Sequence, residues 1–196
     1  DRADSLERRA VRTVLDILFD HLTAWLAPVL CFTAEEAWLA RHPNRGPGNS
    51  VHLRTYPDVP ATWADNALNA KWSKVRSVRR VITGALEVAR ANKEIGASLQ
   101  AHPVVYADAD LRDAVADMDM ATLCITSGIT FADSDAPADA YRLEDVAGVA
   151  VIIEKASGEK CERCWKVLDE IGTDSEHETL CHRCADAVRH SNAAAA

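Results

Sequence analysis

No apolar run in the sequence approaches the roughly 18–20 residues that a bilayer-spanning helix needs, so no membrane partner is expected. The start of the chain lacks the basic, apolar and small-residue layout of a secretory signal. A glycine-rich phosphate loop, a nucleophile elbow and a zinc-protease histidine pair are all missing, and the seven histidines are scattered. These absences predict a catalytically inert chain in the cytoplasm.

Cysteine is scarce too, but four of the six cysteines are tightly patterned. Cys161 and Cys164 bracket two residues, sixteen residues follow, and Cys181 and Cys184 bracket two more. Each pair is expected on a tight turn that aims both sulfurs at one point. Two such turns supply the four thiolates of a closed tetrahedral zinc site, which leaves no position for water or substrate. One structural Zn²⁺ is therefore predicted, held by Cys161, Cys164, Cys181 and Cys184. The competing disulfide or redox reading sits poorly with a reducing compartment. Cys31 and Cys124 stand alone in apolar stretches and are expected to be buried as small hydrophobes.

Periodicity divides the chain into three parts and a tail, at residues 1–100, 101–156, 157–190 and 191–196. The fold class is mainly α with a small α+β unit. The first part is expected to be helical. Leu6, Val11, Val14, Leu15, Leu18, Leu22, Trp25 and Leu26 recur at helical spacing, Pro28 interrupts, and Thr33 is placed to cap a second helix. Residues 42–60 form a connection whose centre, 51–57, is expected to be extended. A long helix over 61–95 follows, with a buried stripe of Leu68, Trp72, Val75, Val78, Ile82, Ala85, Leu86 and Ala89, ended by Gly96. The second part is expected to carry strands at 102–107, 124–131 and 146–153 and a helix at 111–118. The third is the zinc knuckle, and residues 191–196 are a flexible tail.

The net charge of −8 argues against nucleic-acid binding only when averaged over the chain. Residues 108–145 hold ten acids against two bases, whereas Lys71, Lys74, Arg76, Arg79, Arg80, Arg90 and Lys93 face a single acid, Glu87. The second group predicts a basic band on the long helix. Such a band neutralises phosphates, or it is simply a solvated helix face. Around the knuckle, Lys160, Arg163, Lys166 and Arg183 accompany Trp165. Part of that charge offsets the two negative charges of a zinc–tetrathiolate centre, and Trp165 either packs over the metal or stacks on unpaired bases. The RNA-contact candidates are thus Lys71, Arg76, Arg79, Arg80, Arg90, Lys93, Lys160, Arg163, Trp165 and Arg183.

The segment 85–101 (ALEVARANKEIGASLQA), followed by an α+β unit and then by Lys160-Cys161-Glu162-Arg163-Cys164-Trp165 with Cys181-His182-Arg183-Cys184, resembles the C-terminal third of the bacterial isoleucyl-tRNA synthetases. Leu26-Ala27-Pro28-Val29-Leu30 with Phe32-Thr33-Ala34-Glu35-Glu36 and Trp38 is similar to the helical anticodon-binding bundle of that family. Ala97 and Gln100 depart from its usual Ser and Glu. The resemblance implies an ATP-dependent enzyme that attaches isoleucine to its tRNA, with this portion gripping the anticodon stem-loop of tRNA(Ile). It implies catalytic and editing domains upstream in the same polypeptide, and a monomer. Lys71-Trp72-Ser73-Lys74-Val75 looks like the ATP-binding lysine loop of such enzymes, but it continues a helical stripe and no His-x-Gly-His partner occurs. A zinc ribbon of a DNA-repair or transcription protein, and a purely structural zinc module, are the alternatives.

Overall fold

The computed structural model describes residues 2–43, 46 and 48–193, with side chains through 191. The chain forms two compact units, one of residues 1–64 with 187–196 and the other of residues 65–186.

In the first unit, Ser5 caps helix α1 (Leu6–Leu26) by accepting from the Arg8 amide. Helix α2 runs over Cys31–Arg41. Thr33, the expected cap, lies inside it: the Ala34 amide already bonds to the Leu30 carbonyl, so helical bonding begins directly after the Pro28 turn. Residues Val51–Leu53 form a 3₁₀ turn where extended chain was expected. The Glu35 carboxylate accepts from the Val51 amide at 2.8 Å and from Ser50 Oγ at 3.0 Å, which pulls the segment into a turn over α2. Ala27, Ala34 and Val51, with Trp38 against them, make a small core. The apolar stripe of α1, from Leu6 to Leu26, is exposed. Cys31 is exposed as well, against expectation, because it lies on the outer side of the first turn of α2.

The second unit is built on helix α3 (Asn66–Ala91), capped by Asp65 accepting from the Leu68 amide at 2.8 Å. That cap is why the helix starts five residues later than periodicity suggested. It also ends earlier, at Asn92, where Lys93 takes a left-handed φ of 63° and returns the Glu94 amide to the Ala89 carbonyl. Gly96 instead donates to Gln100 Oε1 at 2.6 Å, so Gln100 serves as a local turn acceptor. Val75, Val78, Ile82, Ala85, Leu86 and Ala89 are buried as predicted, Val81 joins them, and Leu68 is exposed. This stripe shares one core with a four-stranded sheet of order β2-β1-β4-β3. Its strands are β1 (Ala101–Ala107), β2 (Thr130–Phe131), β3 (Tyr141–Leu143) and β4 (Val146–Lys155).

Pro103 fits in β1 without a broken ladder. The Ala101 and Val105 carbonyls face the β2 side, where the Ser127 and Ala132 amides bind them, so Pro103 faces that side too, and β2 pairs only from Val104 onward. Helices α4 (Ala109–Val115) and α5 (Met120–Cys124) connect β1 to β2. The strand expected over 124–131 is therefore reduced to two residues: Asp119 caps α5, and Ile125 at φ 58° ends it. Strands β5 (Glu159–Lys160) and β6 (Val167–Leu168) flank the first cysteine pair, and α6 (His182–Ala193) begins on the second. Residues expected in the tail thus continue a helix to Ala193, and 194–196 lie outside the described residues.

Candidate metal centre and its charged surroundings

Chain reversal between β5 and β6 creates the first half of the centre. The Trp165 amide bonds to the Cys161 carbonyl and the Cys161 amide to the Lys166 carbonyl, both at 2.9 Å. Closing that turn puts Trp165 at φ 66°, a left-handed conformation that costs a non-glycine residue about 1 kcal/mol or more. Gly158 enters the hairpin at φ 93°, and a Cβ there would lie 2.3 Å from the Leu168 carbonyl group, so only glycine lets the two strands close. The second half is the first turn of α6, where the Cys184 amide bonds to the Cys181 carbonyl at 2.9 Å.

The two halves bring the Sγ atoms of Cys161, Cys164, Cys181 and Cys184 within 4.8 Å of one another, with Cys164 and Cys181 at 3.7 Å. A tetrahedron of sulfurs about 2.3 Å from a central ion has edges of about 3.8 Å, so the observed set matches zinc. All four are free thiols, far beyond the roughly 2.05 Å of a disulfide. Three are buried, walled by Leu168, Ile171 and Leu180. The ring of His182, next to Cys181 in sequence, is engaged by Thr173 Oγ1 at 2.7 Å and lies 3.4 Å from Glu170.

Electrostatics around the sulfurs favour a bound cation. Burial pushes the Cys161 thiol up, but amide donors from Cys164, Cys181 and Arg163 outweigh it and bring it down to about 6. Burial raises Cys181 to about 12, and its neighbouring thiols add to the rise. Four crowded sulfurs do not all ionise unaided, and Zn²⁺ supplies the charge that lets them. Arg163 Nη1 lies 3.5 Å from Cys184 Sγ. Burial works against the Arg183 charge, but its hydrogen bond to Cys164 and the nearby thiolates raise its pKa overall. Both guanidinium groups therefore face the sulfurs. Trp165 remains 60% exposed, with Lys160 Nζ 5.3 Å from its ring centroid.

The basic candidates on α3 are less free than the sequence suggested. Lys71 pairs with Asp117 at 2.7 Å, Lys74 with Asp110 at 2.5 Å, and Arg80 with Asp145. The Lys71 ammonium and the Arg80 guanidinium hold the Asp117 and Asp145 carboxyls below the usual carboxylate range. Arg79 donates to the Leu123 carbonyl at 2.8 Å, Arg76 to Ser73 Oγ at 3.1 Å, and Arg90 to Glu87 and Ser98. Of the seven, only the Lys93 side chain has no polar partner among the described residues. The acid-rich stretch and the basic helix, read from the sequence as separate features, are opposing layers of one unit. Their adjacent runs of opposite charge were the signal for this pairing. Ser127, which ties the knuckle to the sheet, gave no sequence signal.

Residues 1–105 match the family described as "Anticodon-binding domain of tRNA ligase", and residues 158–187 match "Zinc finger found in FPG and IleRS". The chain is 49% identical over 190 residues to the isoleucine–tRNA ligase of Agrobacterium fabrum, covering 96% of this chain and 19% of that protein. It is 50% identical over 186 residues to the isoleucine–tRNA ligase of Ruegeria pomeroyi, covering 94% and 19%. With that of Mesorhizobium japonicum the identity is 52% over 178 residues, covering 89% and 18%. The chain spans about one-fifth of the length of these relatives. No described helix is long and apolar enough to cross a membrane.

Proposed function

The chain belongs to the anticodon-binding domain family of tRNA ligases, and we propose that it is the part of a cytoplasmic isoleucine–tRNA ligase that holds the anticodon stem-loop of tRNA(Ile). The whole protein would activate isoleucine with ATP and esterify it to that tRNA through catalytic and editing domains outside this sequence. In functional terms residues 1–100 bind the stem-loop, 101–156 join, and 157–190 form the zinc-held contact module. The enzyme acts as a monomer.

One observation carries the reading: a tryptophan is presented outward on a sulfur-caged turn with a lysine over its ring, while two arginines of the same knuckle lie against the sulfurs. Reaction occurs at the acceptor end of a tRNA, so the distant anticodon end needs its own rigid surface. An RNA loop offers unstacked bases to an aromatic face and phosphates to cations. Zinc here has a structural part, because four thiolates leave no open position. When bound, the ion supplies the charge and the cross-link that let this short segment hold a fixed shape.

On α3 the contact candidates divide. Lys93, Arg76 and Arg90 face outward at or near its surface, and Lys71 and Arg80 would exchange an aspartate for a phosphate on binding. The exposed stripe of α1 is an apolar face of the kind that covers partners. We assign it to the remainder of the same polypeptide.

Replacing Arg163 and Trp165 together by alanine is expected to weaken binding of a labelled tRNA(Ile) anticodon stem-loop roughly five- to hundredfold, the loss of about 1–3 kcal/mol for one stacked base. Zinc content, measured in parallel, stays at one per chain. Affinity should fall steeply with added salt and exceed that for duplex DNA of equal length. Unchanged affinity in the double variant removes both residues from the RNA surface. Preference for duplex DNA overturns the assignment.

A further inference from the structure

A buried hydroxyl in the loop after α5 connects three segments that sequence separates widely. Ser127 Oγ donates to the Leu99 carbonyl at 2.5 Å and accepts from the Val167 amide at 2.7 Å. Its own amide donates to the Ala101 carbonyl at 3.2 Å. The residue is 7% exposed, and its donor and acceptor capacity are both used. Val167 is two residues beyond Trp165 and opens β6, the strand whose pairing with β5 closes the first zinc turn. The other end of the link reaches the basic helix: Arg79 Nε donates to the Leu123 carbonyl, in the helix that leads into Ser127.

We propose that Ser127 is a positioning residue that fixes the orientation of the zinc knuckle, and so of Trp165, relative to α3 and the sheet, and that RNA affinity depends on this fixed orientation. The inference rests on the RNA-binding reading above. The zinc ion makes the knuckle rigid internally, but it is bound by residues of the knuckle alone and sets no angle to the rest of the unit. A side-chain hydroxyl bonded on one side to the β1 entry and on the other to β6 does set that angle. The local sequence is shaped to deliver it. Ile125 turns left-handed at φ 58°, the Thr126 amide bonds back to the Ala121 carbonyl at 2.9 Å, and Ser127 is thereby aimed inward while Ile125 stays exposed.

The test uses the zinc-loaded chain with Ser127→Ala and Ser127→Thr. The alanine variant is expected to retain one zinc and the native circular dichroism. It should bind the anticodon stem-loop about five- to tenfold more weakly, the cost of re-ordering one or two side chains on binding. In the same variant the ¹⁵N relaxation of the Trp165 indole should report faster motion, and threonine should restore both readings. A merely stabilising serine would lower the melting temperature and leave the indole order and the affinity unchanged, which overturns the proposal. Without any substitution, the Val167 amide should exchange hydrogen as slowly as amides of β1 and β4. Exchange at the rate of an open loop also overturns it. If the unsubstituted chain fails to bind RNA, the functional reading falls, while indole order and Val167 exchange still decide the role of Ser127.

Discussion

Cys161→Ser should abolish stoichiometric zinc binding and unfold residues 157–190, while the core of α3 and the sheet stays folded. Cys161 is fully buried, and its sulfur accepts from the Cys181 amide at 3.3 Å, so it joins the two cysteine turns as well as facing the ion. A serine hydroxyl is a poor zinc ligand, and three thiolates hold the metal far more weakly than four. The knuckle has little else. Its hydrophobic wall is Leu168, Ile171 and Leu180, and its strands are two residues each. Segments this short do not bury enough apolar area to fold unaided. In such modules metal binding is folding, contributing about 10–16 kcal/mol at neutral pH. The α3 core shares no residue with the cysteine cluster and should survive. Metal analysis together with limited proteolysis reads both effects: no zinc, a new cut within 157–190, and a resistant fragment retaining α3 and the sheet. A zinc-replete variant with an intact knuckle contradicts the ligand assignment.

The second large effect lies in the other core. Ile82→Ala should destabilise residues 65–186 by about 2–5 kcal/mol, the range for truncating a fully buried aliphatic side chain into a residual cavity. Ile82 is at 0% exposure midway along α3, with Val78, Ala85 and Leu86 around it in the stripe that meets the sheet. A helix tied to its sheet by such a stripe has no way to collapse around a missing side chain without moving the ion-paired residues on its flanks. Urea titration followed by circular dichroism measures the loss, and zinc content should be unaffected. A change under 1 kcal/mol would mean that α3 does not depend on this packing.

These two cores differed in how legible they were. The zinc site could be read because its chemistry is local: two residues between cysteines fix a turn, and four such sulfurs have few other uses. The α3 stripe could be read because 3.6-residue periodicity survives any tertiary context. Its ends could not be placed so well. Asp65 at the start is a residue type that caps helices, but the left-handed Lys93 at the end had no glycine to announce it. Short pieces were harder still. Strands β2 and β3 have two and three residues, too few for alternation to register, and α5 is a five-residue helix in a stretch rich in β-formers.

Burial was the least accessible property. The spacing from Leu6 to Leu26 correctly gives a helix, but periodicity says only that one face is apolar, and in this chain that face is exposed. The same limit explains Cys31. The partners of the α3 charges were equally hidden. The bases of α3 suggested an open band, whereas Asp110, Asp117 and Asp145 sit against three of them. Ion pairs between residues 36 to 65 positions apart arise from the tertiary fold. Such solvent-exposed pairs contribute little to stability, but they lower the positive potential that α3 presents. In the proposed role, this makes Lys93, Arg76 and the knuckle the first candidates for RNA contact.

The most direct test of the account is one anisotropy titration of the tRNA(Ile) anticodon stem-loop, run with the zinc-loaded chain, after chelation, and after zinc is restored. Saturable binding that is lost on chelation and recovered on reloading is the predicted result. Equal affinity in all three states would contradict the claim that a sulfur-held knuckle forms the RNA-binding surface.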